Sequence, residues 1–338
     1  MGEDVRVVAY GLGAIGSALA RECISRGLDI VAAVDIDEGK VGRDIGDVIG
    51  LQGNVGVTVR RDLREAVRRG DADVLLHCTT SYIWEAHPQL AEAFLAGCNV
   101  VSTCEELSYP WRSHRHFAQE IDQAARREGV TALGTGVNPG FVMDALVIAL
   151  SSMCTRVDSV QAIRVVDVAK RRLPLQRKVG AGLTKEEFEA MVKEGRLGHV
   201  GTYESLDMVG AAFGWNLSST KVDIEPVMAP EEVSSRHLNV PEGRVAGLRQ
   251  IGVAHVKGKE VIRLELEMYM GAERPRDVVV IDGKPGLQVE IPDGIMGDEA
   301  TIAAVVNAIP RVLGAQPGLK TMLDLPLLGY VEHILSTS

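Results

Sequence analysis

The stretch that decides the fold is Val5-Arg6-Val7-Val8-Ala9-Tyr10 followed by Gly11-Leu12-Gly13-Ala14-Ile15-Gly16. The first six residues are mostly apolar and β-branched, which is typical of a buried parallel strand. The residues after Gly16 have helical spacing, so the order is strand, glycine turn, helix. In such a unit the first glycine permits the turn, the second admits a diphosphate and the third allows close packing. The stretch predicts a dinucleotide-binding Rossmann unit whose cofactor contacts come from Gly11, Leu12, Gly13, Ala14, Ile15 and Gly16.

An acidic residue closes the second predicted strand, which runs from Asp29 to Asp35. A carboxylate about 20 residues after the glycines accepts hydrogen bonds from the adenosine ribose and repels a 2′-phosphate. Asp35, with its neighbour Ile36, therefore favours NAD as the cofactor. Lys40 and Arg43 follow closely, so NADP stays possible.

Strands and helices alternate as far as residue 135, which is typical of a doubly wound parallel sheet. Ligands bind beyond the carboxyl ends of such strands. Two polar segments after strand ends are accordingly predicted to line the cofactor, namely Thr79-Thr80-Ser81 and Ser102-Thr103. His77 is interpreted as a structural residue that faces a neighbouring strand.

The pattern changes after residue 138, where strand-like runs are separated by polar, glycine-rich connections. This pattern predicts a second, α+β domain with a mostly antiparallel sheet. An alanine-rich helix near residues 298–313 is expected to return to the first domain. The predicted domains are therefore 1–138 together with 298–338, and 139–297.

Three sets of polar side chains are candidates for the chemistry. Glu105 and Glu106 follow the fifth strand, where one carboxylate could act as a base or stabilise an iminium ion. Asn138, in a small-residue loop, could orient the substrate or the nicotinamide carboxamide. His199 lies between glycines and could move protons near neutral pH.

The bulk properties narrow the class of protein. The 338 residues carry a net charge of −10, which argues against nucleic acid or an anionic membrane as a partner. Five cysteines without a Cys-x-x-Cys pair predict neither a metal site nor a disulfide framework. There is no apolar run of membrane-spanning length, no signal-peptide pattern at the start, and Arg6 stands where a myristoylation signal needs Ser or Thr. These features predict a cytoplasmic protein.

Several motifs together resemble one family, the 2,4-diaminopentanoate dehydrogenases and the related native amine dehydrogenases of the dihydrodipicolinate reductase-like superfamily. The motifs are the glycine turn, residues 102–107 (STCEEL), 134–141 (GTGVNPGF), 171–180 (RRLPLQRKVG) and 198–201 (GHVG). This resemblance implies reversible NAD(P)-dependent oxidative deamination of an amine, or reductive amination of a ketone or aldehyde with ammonia. It assigns the ammonia-contacting glutamate to Glu105, with Glu106 as the alternative. It also implies substrate contacts from Phe141, Met143, Ala145 and Thr301, beside the Asn138 contact expected from the loop.

Two related activities lack their signatures in this chain. The His-His…Lys…Ser-Gly-Thr pattern of dihydrodipicolinate reductases is missing from residues 166–172, and Cys104-Glu105 stands where homoserine dehydrogenase-like enzymes have Asn-Lys. The open alternatives are a 2,4-diaminopentanoate dehydrogenase proper, an alcohol or semialdehyde dehydrogenase, and a non-catalytic NAD sensor. The glutamate pair argues against the sensor. The expected assembly is a homodimer formed through the sheet of the second domain.

Overall fold

The computed structural model describes residues 5–332 and 334, and the chain divides into two compact units. One unit contains residues 1–141 and 297–338, and the other contains residues 142–296. The domain boundaries predicted from the sequence differ slightly from these. The first predicted boundary lies three residues earlier, and the second predicted boundary lies later by one residue. Residues 1–4, 333 and 335–338 of the expected domains lie outside the described residues.

The first unit is built on a seven-stranded sheet in which every neighbouring pair is parallel. With elements numbered along the whole chain, its strands are β1 (Arg6–Tyr10), β2 (Asp29–Val34), β3 (Val59–Arg60), β4 (Val74–His77), β5 (Asn99–Ser102), β6 (Thr131–Gly134) and β15 (Gly318–Lys320). Its helices are α1 (Ala14–Ser25), α2 (Ile45–Ile49), α3 (Leu63–Ala66), α4 (Ile83–Leu95), α5 (Arg115–Glu128) and α10 (Gly297–Leu313), and a 3₁₀ helix spans Glu105–Leu107.

The strand order is β15-β6-β5-β4-β1-β2-β3, so β1 lies between β2 and β4. The direction in which successive strands are added reverses at β1, and in open α/β sheets such a reversal opens the crevice where ligands bind. Helix α10 packs against α1, β4, β5 and β6. The prediction of a Rossmann-type α/β fold is confirmed.

The second unit contains a six-stranded sheet in the order β14-β13-β7-β12-β11-β8. Four of its five neighbouring pairs are antiparallel, and only β7 and β12 run parallel. Its strands are β7 (Arg156–Asp167), β8 (Ser219–Met228), β11 (Val245–Val256), β12 (Lys259–Tyr269), β13 (Arg276–Lys284) and β14 (Leu287–Pro292), with a separate pair β9 (Val233–Ser234) and β10 (Asn239–Val240). Its helices are α6 (Ala145–Ser151), α7 (Leu173–Lys178), α8 (Lys185–Lys193) and α9 (Thr202–Ala212), and a 3₁₀ helix spans Val168–Lys170.

The predicted α+β class of the second unit is confirmed, whereas its two edge strands were not predicted. Strand β14 alternates half-buried and exposed residues, and β8 is exposed or half-buried throughout. Edge strands of this kind carry polar and charged residues on their solvent side, which weakens the apolar signal in the sequence.

A buried ion pair fixes the end of the second unit. Arg164 Nη1 donates to both carboxylate oxygens of Asp277, at 2.8 and 2.7 Å, and both side chains are almost fully buried. Arg164 Nη2 also donates to the carbonyl of Ile295, whose N–H donates to Asp277. The pair thus provides hydrogen-bond partners for the backbone just before α10. The same bonds help to satisfy the two charges, which would be costly to bury without partners. Within residues 5–332, no helix is both long and apolar enough to span a bilayer.

Candidate active site

The three glycines of the first turn have different surroundings. Gly11 has a φ of +88°, and a Cβ there would lie 2.6 Å from the carbonyl oxygen of Cys78. A Cβ on Gly16 would lie 1.7 Å from the Gly11 carbonyl oxygen, so helix and strand are in backbone contact. A Cβ on Gly13 would meet nothing within 4 Å. Gly13 is therefore the glycine whose missing side chain leaves open space.

This open space fits the diphosphate of a dinucleotide. Gly13 is the N-cap of α1, it provides no side-chain cap, and Gly13 and Ala14 are exposed. The first N–H groups of a helix have no partner within the helix and attract anions. Backbone donors and open space thus occur together at the carboxyl end of β1, where a dinucleotide's diphosphate would be held.

Leu12 has a structural role in the glycine turn. Its side chain is 2% exposed and belongs to the apolar core, and its N–H donates to Asp35 Oδ2 at 2.7 Å. Leu12 therefore joins the glycine turn to the end of β2, and its contact with a cofactor stays a prediction.

Asp35 directly follows β2, one residue beyond the end of the strand, and its carboxylate accepts several hydrogen bonds. Besides the Leu12 bond, Oδ2 accepts from Lys40 Nζ at 3.1 Å, and Oδ1 accepts from the Asp37 N–H at 2.8 Å. Burial by itself would raise the pKa of Asp35, but the hydrogen bonds from Asp37, Lys40 and Leu12 outweigh it and lower the pKa. Asp35 is thus ionised and paired, whereas Ile36 next to it is 75% exposed.

The polar loop after β4 is exposed or half-buried at Thr79, Thr80 and Ser81. The Thr79 hydroxyl donates to Gln89 Oε1 at 2.6 Å, and the Thr80 hydroxyl donates to Glu85. Both hydroxyls therefore bind residues of α4, which fixes the loop at the carboxyl edge of the sheet.

A buried polar network lies behind this loop. His77 Nδ1 is 2.8 Å from Ser102 Oγ, and Nε2 is 2.7 Å from Gln89 Oε1. Burial lowers the pKa of His77 to about 4, so the ring is neutral near pH 7. His77 on β4 thus contacts the neighbouring strand β5, which confirms its structural interpretation.

Ser102 is part of this network, and its predicted contact with the cofactor is not tested by it. Ser102 is fully buried, and its Oγ accepts from the Cys104 N–H at 3.0 Å besides contacting His77. Successive residues of a strand point to opposite faces, and Ser102 points into the sheet packing. Thr103, the next residue, is half-buried, and its N–H donates to the His77 carbonyl.

Glu105 and Glu106 occupy the 3₁₀ helix directly after β5. Glu106 Oε2 accepts from the Ile83 N–H at 2.8 Å, and Oε1 lies 3.6 Å from His114 Nε2. The Glu105 carbonyl accepts from the Ser108 N–H and hydroxyl, and its side chain is partly exposed. The Glu106 carboxylate is therefore held by Ile83 and lies near His114, while the turn at Glu105 is held through the Glu105 carbonyl.

The loop after β6 is compact and rich in glycine. Gly140 has a φ of +122°, and a Cβ there would lie 2.5 Å from the Gly136 nitrogen. The Val137 N–H donates to the hydroxyl of Thr301 on α10 at 3.3 Å. The first unit thus places Thr301 against the loop that also contains Asn138 and Phe141.

The second unit holds the segment around His199 by its backbone. The Gln250 side chain accepts from the His199 N–H at 2.7 Å and donates to the His199 carbonyl at 2.8 Å and the Thr202 hydroxyl at 2.7 Å. Gln250 is 2% exposed, so the hydrogen bonds of its side chain are shielded from solvent. The sequence missed Gln250, because a polar residue within a predicted strand does not reveal a partner about 50 residues away.

Met143 and Ala145 flank a buried aspartate at the start of α6. Both are buried, and Asp144 Oδ1 accepts from the Ala145 N–H at 2.6 Å. Asp144 Oδ2 accepts from the Ser205 hydroxyl at 2.7 Å, which joins α6 to α9. The substrate roles assigned to Met143, Ala145 and His199 remain predictions.

A threonine at Gly13 tests the role of the open space. Threonine is accepted at an N-cap and nothing would clash with its Cβ, so Gly13→Thr should keep the wild-type melting temperature. It should weaken NADH binding by about tenfold or more, roughly 1.4 kcal/mol, in a fluorescence titration. Gly16→Ala is the contrast, because its Cβ overlaps the Gly11 carbonyl and should lower the melting temperature. Wild-type affinity in Gly13→Thr would contradict this assignment.

His77 should make stability depend on pH. An unfolded histidine has a pKa of about 6.5, so between pH 6.5 and 4 the unfolded chain binds a proton that buried His77 does not. Stability should therefore fall as the pH falls, and His77 should contribute about 2 kcal/mol of the loss between pH 7 and 5. Urea denaturation should show this part of the loss in wild type and in His116→Asn, whose side chain is 78% exposed, but not in His77→Asn. An equal pH dependence of stability in all three proteins would refute this role of His77.

The chain matches known proteins over nearly its whole length. The model of the 2,4-diaminopentanoate dehydrogenase C-terminal domain matches residues 141–335. The 2,4-diaminopentanoate dehydrogenase of Acetoanaerobium sticklandii is 35% identical, over 96% of this chain and 94% of that protein. An amine dehydrogenase of Streptomyces virginiae is 24% identical, over 96% of each chain.

A solved structure agrees with these sequence matches. The amine dehydrogenase from Mycobacterium smegmatis superposes with a TM-score of 0.87 at 28% identity, covering 98% of this chain and 99% of that one. Together with the family model and the 35% identical relative, this match confirms the resemblance drawn from the motifs. The chain belongs to the 2,4-diaminopentanoate dehydrogenase family, a family of NAD(P)-dependent oxidoreductases that act on amines.

Proposed function

We propose that this protein catalyses the reversible oxidative deamination of a small amine, or in reverse the reductive amination of a ketone or aldehyde with ammonia. The observation that carries the proposal is a carboxylate, Glu105, in a fixed turn at the same sheet edge as the open glycine turn. The glycine turn and residues 102–107 are two of the motifs by which the sequence resembles the family.

The cofactor is held by the first unit. The start of α1 would hold the diphosphate and the end of β2 the adenosine ribose. The loop after β4 would line the other polar groups of the cofactor. When bound there, the nicotinamide would supply the acceptor for the hydride that leaves the amine-bearing carbon. We propose NAD as the preferred cofactor, because the ionised Asp35 carboxylate disfavours a 2′-phosphate; Lys40 beside it leaves NADP possible.

Glu105 is proposed to manage protons and charge. In deamination its carboxylate removes a proton from the substrate ammonium and passes that proton to solvent, so Glu105 is charged again when the amine loses hydride and becomes an iminium ion. The negative charge stabilises this cation, and Glu105 then accepts a proton from the water that attacks the iminium carbon. The resulting carbinolamine releases ammonia and leaves the carbonyl product. A carboxylate favours a cationic iminium over a neutral carbonyl, which accounts for selection of ammonia over water in reverse.

The substrate is proposed to be either a diamino acid or a simple amine. A diamino acid needs a cation for its carboxylate, and Arg171, Arg172 and Lys178 lie at and around α7. Arg172 and Lys178 are exposed and Arg171 is half-buried. The proposed substrate contacts are Asn138, Phe141, Met143, Ala145 and Thr301, and His199 is proposed to move protons.

Replacing Glu105 tests the reaction. Glu105→Gln should lower kcat for ammonia-dependent NADH oxidation by about 100-fold or more while NADH binding is unchanged, since the amide cannot accept the proton or offset a charge. The substrates are 4-oxo-2-aminopentanoate, cyclohexanone and short aldehydes, each with and without ammonia. Glu92→Gln on α4, which loses only an ion pair with Arg64, is the control and should match wild type. Turnover that needs no ammonia would instead indicate an alcohol or semialdehyde dehydrogenase.

We propose a homodimer formed through one face of the second unit's sheet. Ile163, Ile251 and Val253 on this face are only partly buried. Arg249 on the same face pairs with Glu265 and Glu267. A face that carries both charges and apolar side chains suits a second copy of itself around a two-fold axis.

A cytoplasmic location is proposed as well, because all five cysteines are free thiols.

Light scattering after gel filtration tests the dimer. Wild type should have twice the 36.3 kDa chain mass, and Ile251→Glu should be monomeric, because it buries an unpaired charge at the interface. Leu95→Glu, at a 60% exposed position on α4, should remain dimeric. Wild type at the mass of one chain would refute the proposed assembly.

A further inference from the structure

The turn that contains Glu105 is fixed by its own backbone and by its neighbours. The Glu105 carbonyl accepts from Ser108 twice, at 3.1 Å from the N–H and 2.8 Å from the hydroxyl. The turn also packs directly on β6, because a Cβ on Gly134 would lie 2.5 Å from the Leu107 carbonyl carbon. The backbone of this turn therefore has little room to move.

Glu106 joins this turn to helix α4. The N-cap of α4, Tyr82, makes no side-chain cap bond, and the Ile83 N–H instead donates to Glu106 Oε2 at 2.8 Å. The Glu106 N–H donates in return to the Ser81 carbonyl at 3.2 Å. An anion at a helix N-terminus satisfies an orphan N–H and interacts favourably with the helix dipole. Glu106 thus acts as the missing cap of a 13-residue helix, from 23 residues away.

The same carboxylate also reaches α5. Glu106 Oε1 lies 3.6 Å from Nε2 of His114, the N-cap residue of that helix, and the Glu106 side chain is 15% exposed. One largely buried carboxylate of the 3₁₀ helix therefore contacts the start of α4 and the N-cap residue of α5. A 3₁₀ helix has three residues per turn, so adjacent side chains point about 120° apart. Glu105 accordingly points in a different direction from Glu106.

We infer that Glu106 is a positioning residue, which acts on the reaction by holding Glu105 in place. This inference rests on the proposed function, in which Glu105 is the reacting carboxylate. If the charge of Glu106 is lost, the link from the turn to α4 weakens and Glu105 samples displaced positions. A displacement of about 1 Å at a reacting group can cost about 100-fold in rate.

Three variants separate positioning from chemistry. Glu106→Ala removes the carboxylate, Glu106→Gln keeps an oxygen that can accept from the Ile83 N–H but removes the charge, and Glu105→Gln removes the proposed base. Glu92→Gln is the matched control, because it also removes an ion-paired glutamate charge at α4. Each is assayed for kcat, for KM of ammonia and carbonyl, for NADH affinity and for melting temperature, and kcat is measured from pH 4 to 10.

The expected order of kcat is wild type equal to Glu92→Gln, then Glu106→Gln, then Glu106→Ala, then Glu105→Gln. Glu106→Ala should lose about 10- to 100-fold in kcat with unchanged NADH affinity. Both Glu106 variants should keep the wild-type pH profile, because the titrating base is still present, whereas Glu105→Gln should lose the limb that this base produces. If Glu106→Ala does not fold, the kcat and pH profile of Glu106→Gln decide.

Two results overturn the inference. A kcat of Glu106→Gln within twofold of wild type would show that Glu106 does not position the base. A pH limb that disappears in Glu106→Gln but persists in Glu105→Gln would make Glu106 the reacting carboxylate. Failure of the proposed function is a separate outcome, because wild type itself would then show no ammonia-dependent turnover with any carbonyl.

Discussion

The first unit depends on one constraint, which is that all strands of a parallel sheet end at the same edge. Residues far apart in sequence, such as Gly13 after β1 and Glu105 after β5, are brought to one edge because their strands run in the same direction. The order of strands reverses at β1, and helices on either side of such a reversal leave an opening for a ligand. Binding of the dinucleotide and the proposed chemistry both follow from this arrangement.

Polar side chains at this edge serve two purposes. The buried ones hold the loops in place, and Glu105 is proposed to act on the ligand. Asp35, Ser102 and Glu106 accept hydrogen bonds from backbone N–H groups, which the protein would otherwise leave unsatisfied. His77 is kept neutral by burial and connects two strands with α4. These contacts make the loops rigid, so that Glu105 and the start of α1 can be held for a ligand at little entropic cost.

The second unit uses buried polar groups in the same way, with partners even farther apart. Gln250 holds the backbone of His199, Asp144 joins α6 to α9, and Arg164 with Asp277 fixes the chain before α10. A buried polar group without a partner costs several times the gain from a satisfied hydrogen bond. Loss of either partner would therefore loosen the segment that each pair holds.

The sequence by itself determined the fold class, the glycine turn, the acidic end of β2 and the family, because each depends on residues close together in the chain. Alternating strands and helices, glycine spacing and short motifs are all local signals. Only the tertiary structure decided that Ser102 and Leu12 are buried, that Glu106 caps α4 and that Gln250 clamps His199. Those roles depend on partners 23 to 51 residues away, and the burial and hydrogen bonding of a side chain are set by what folds against it.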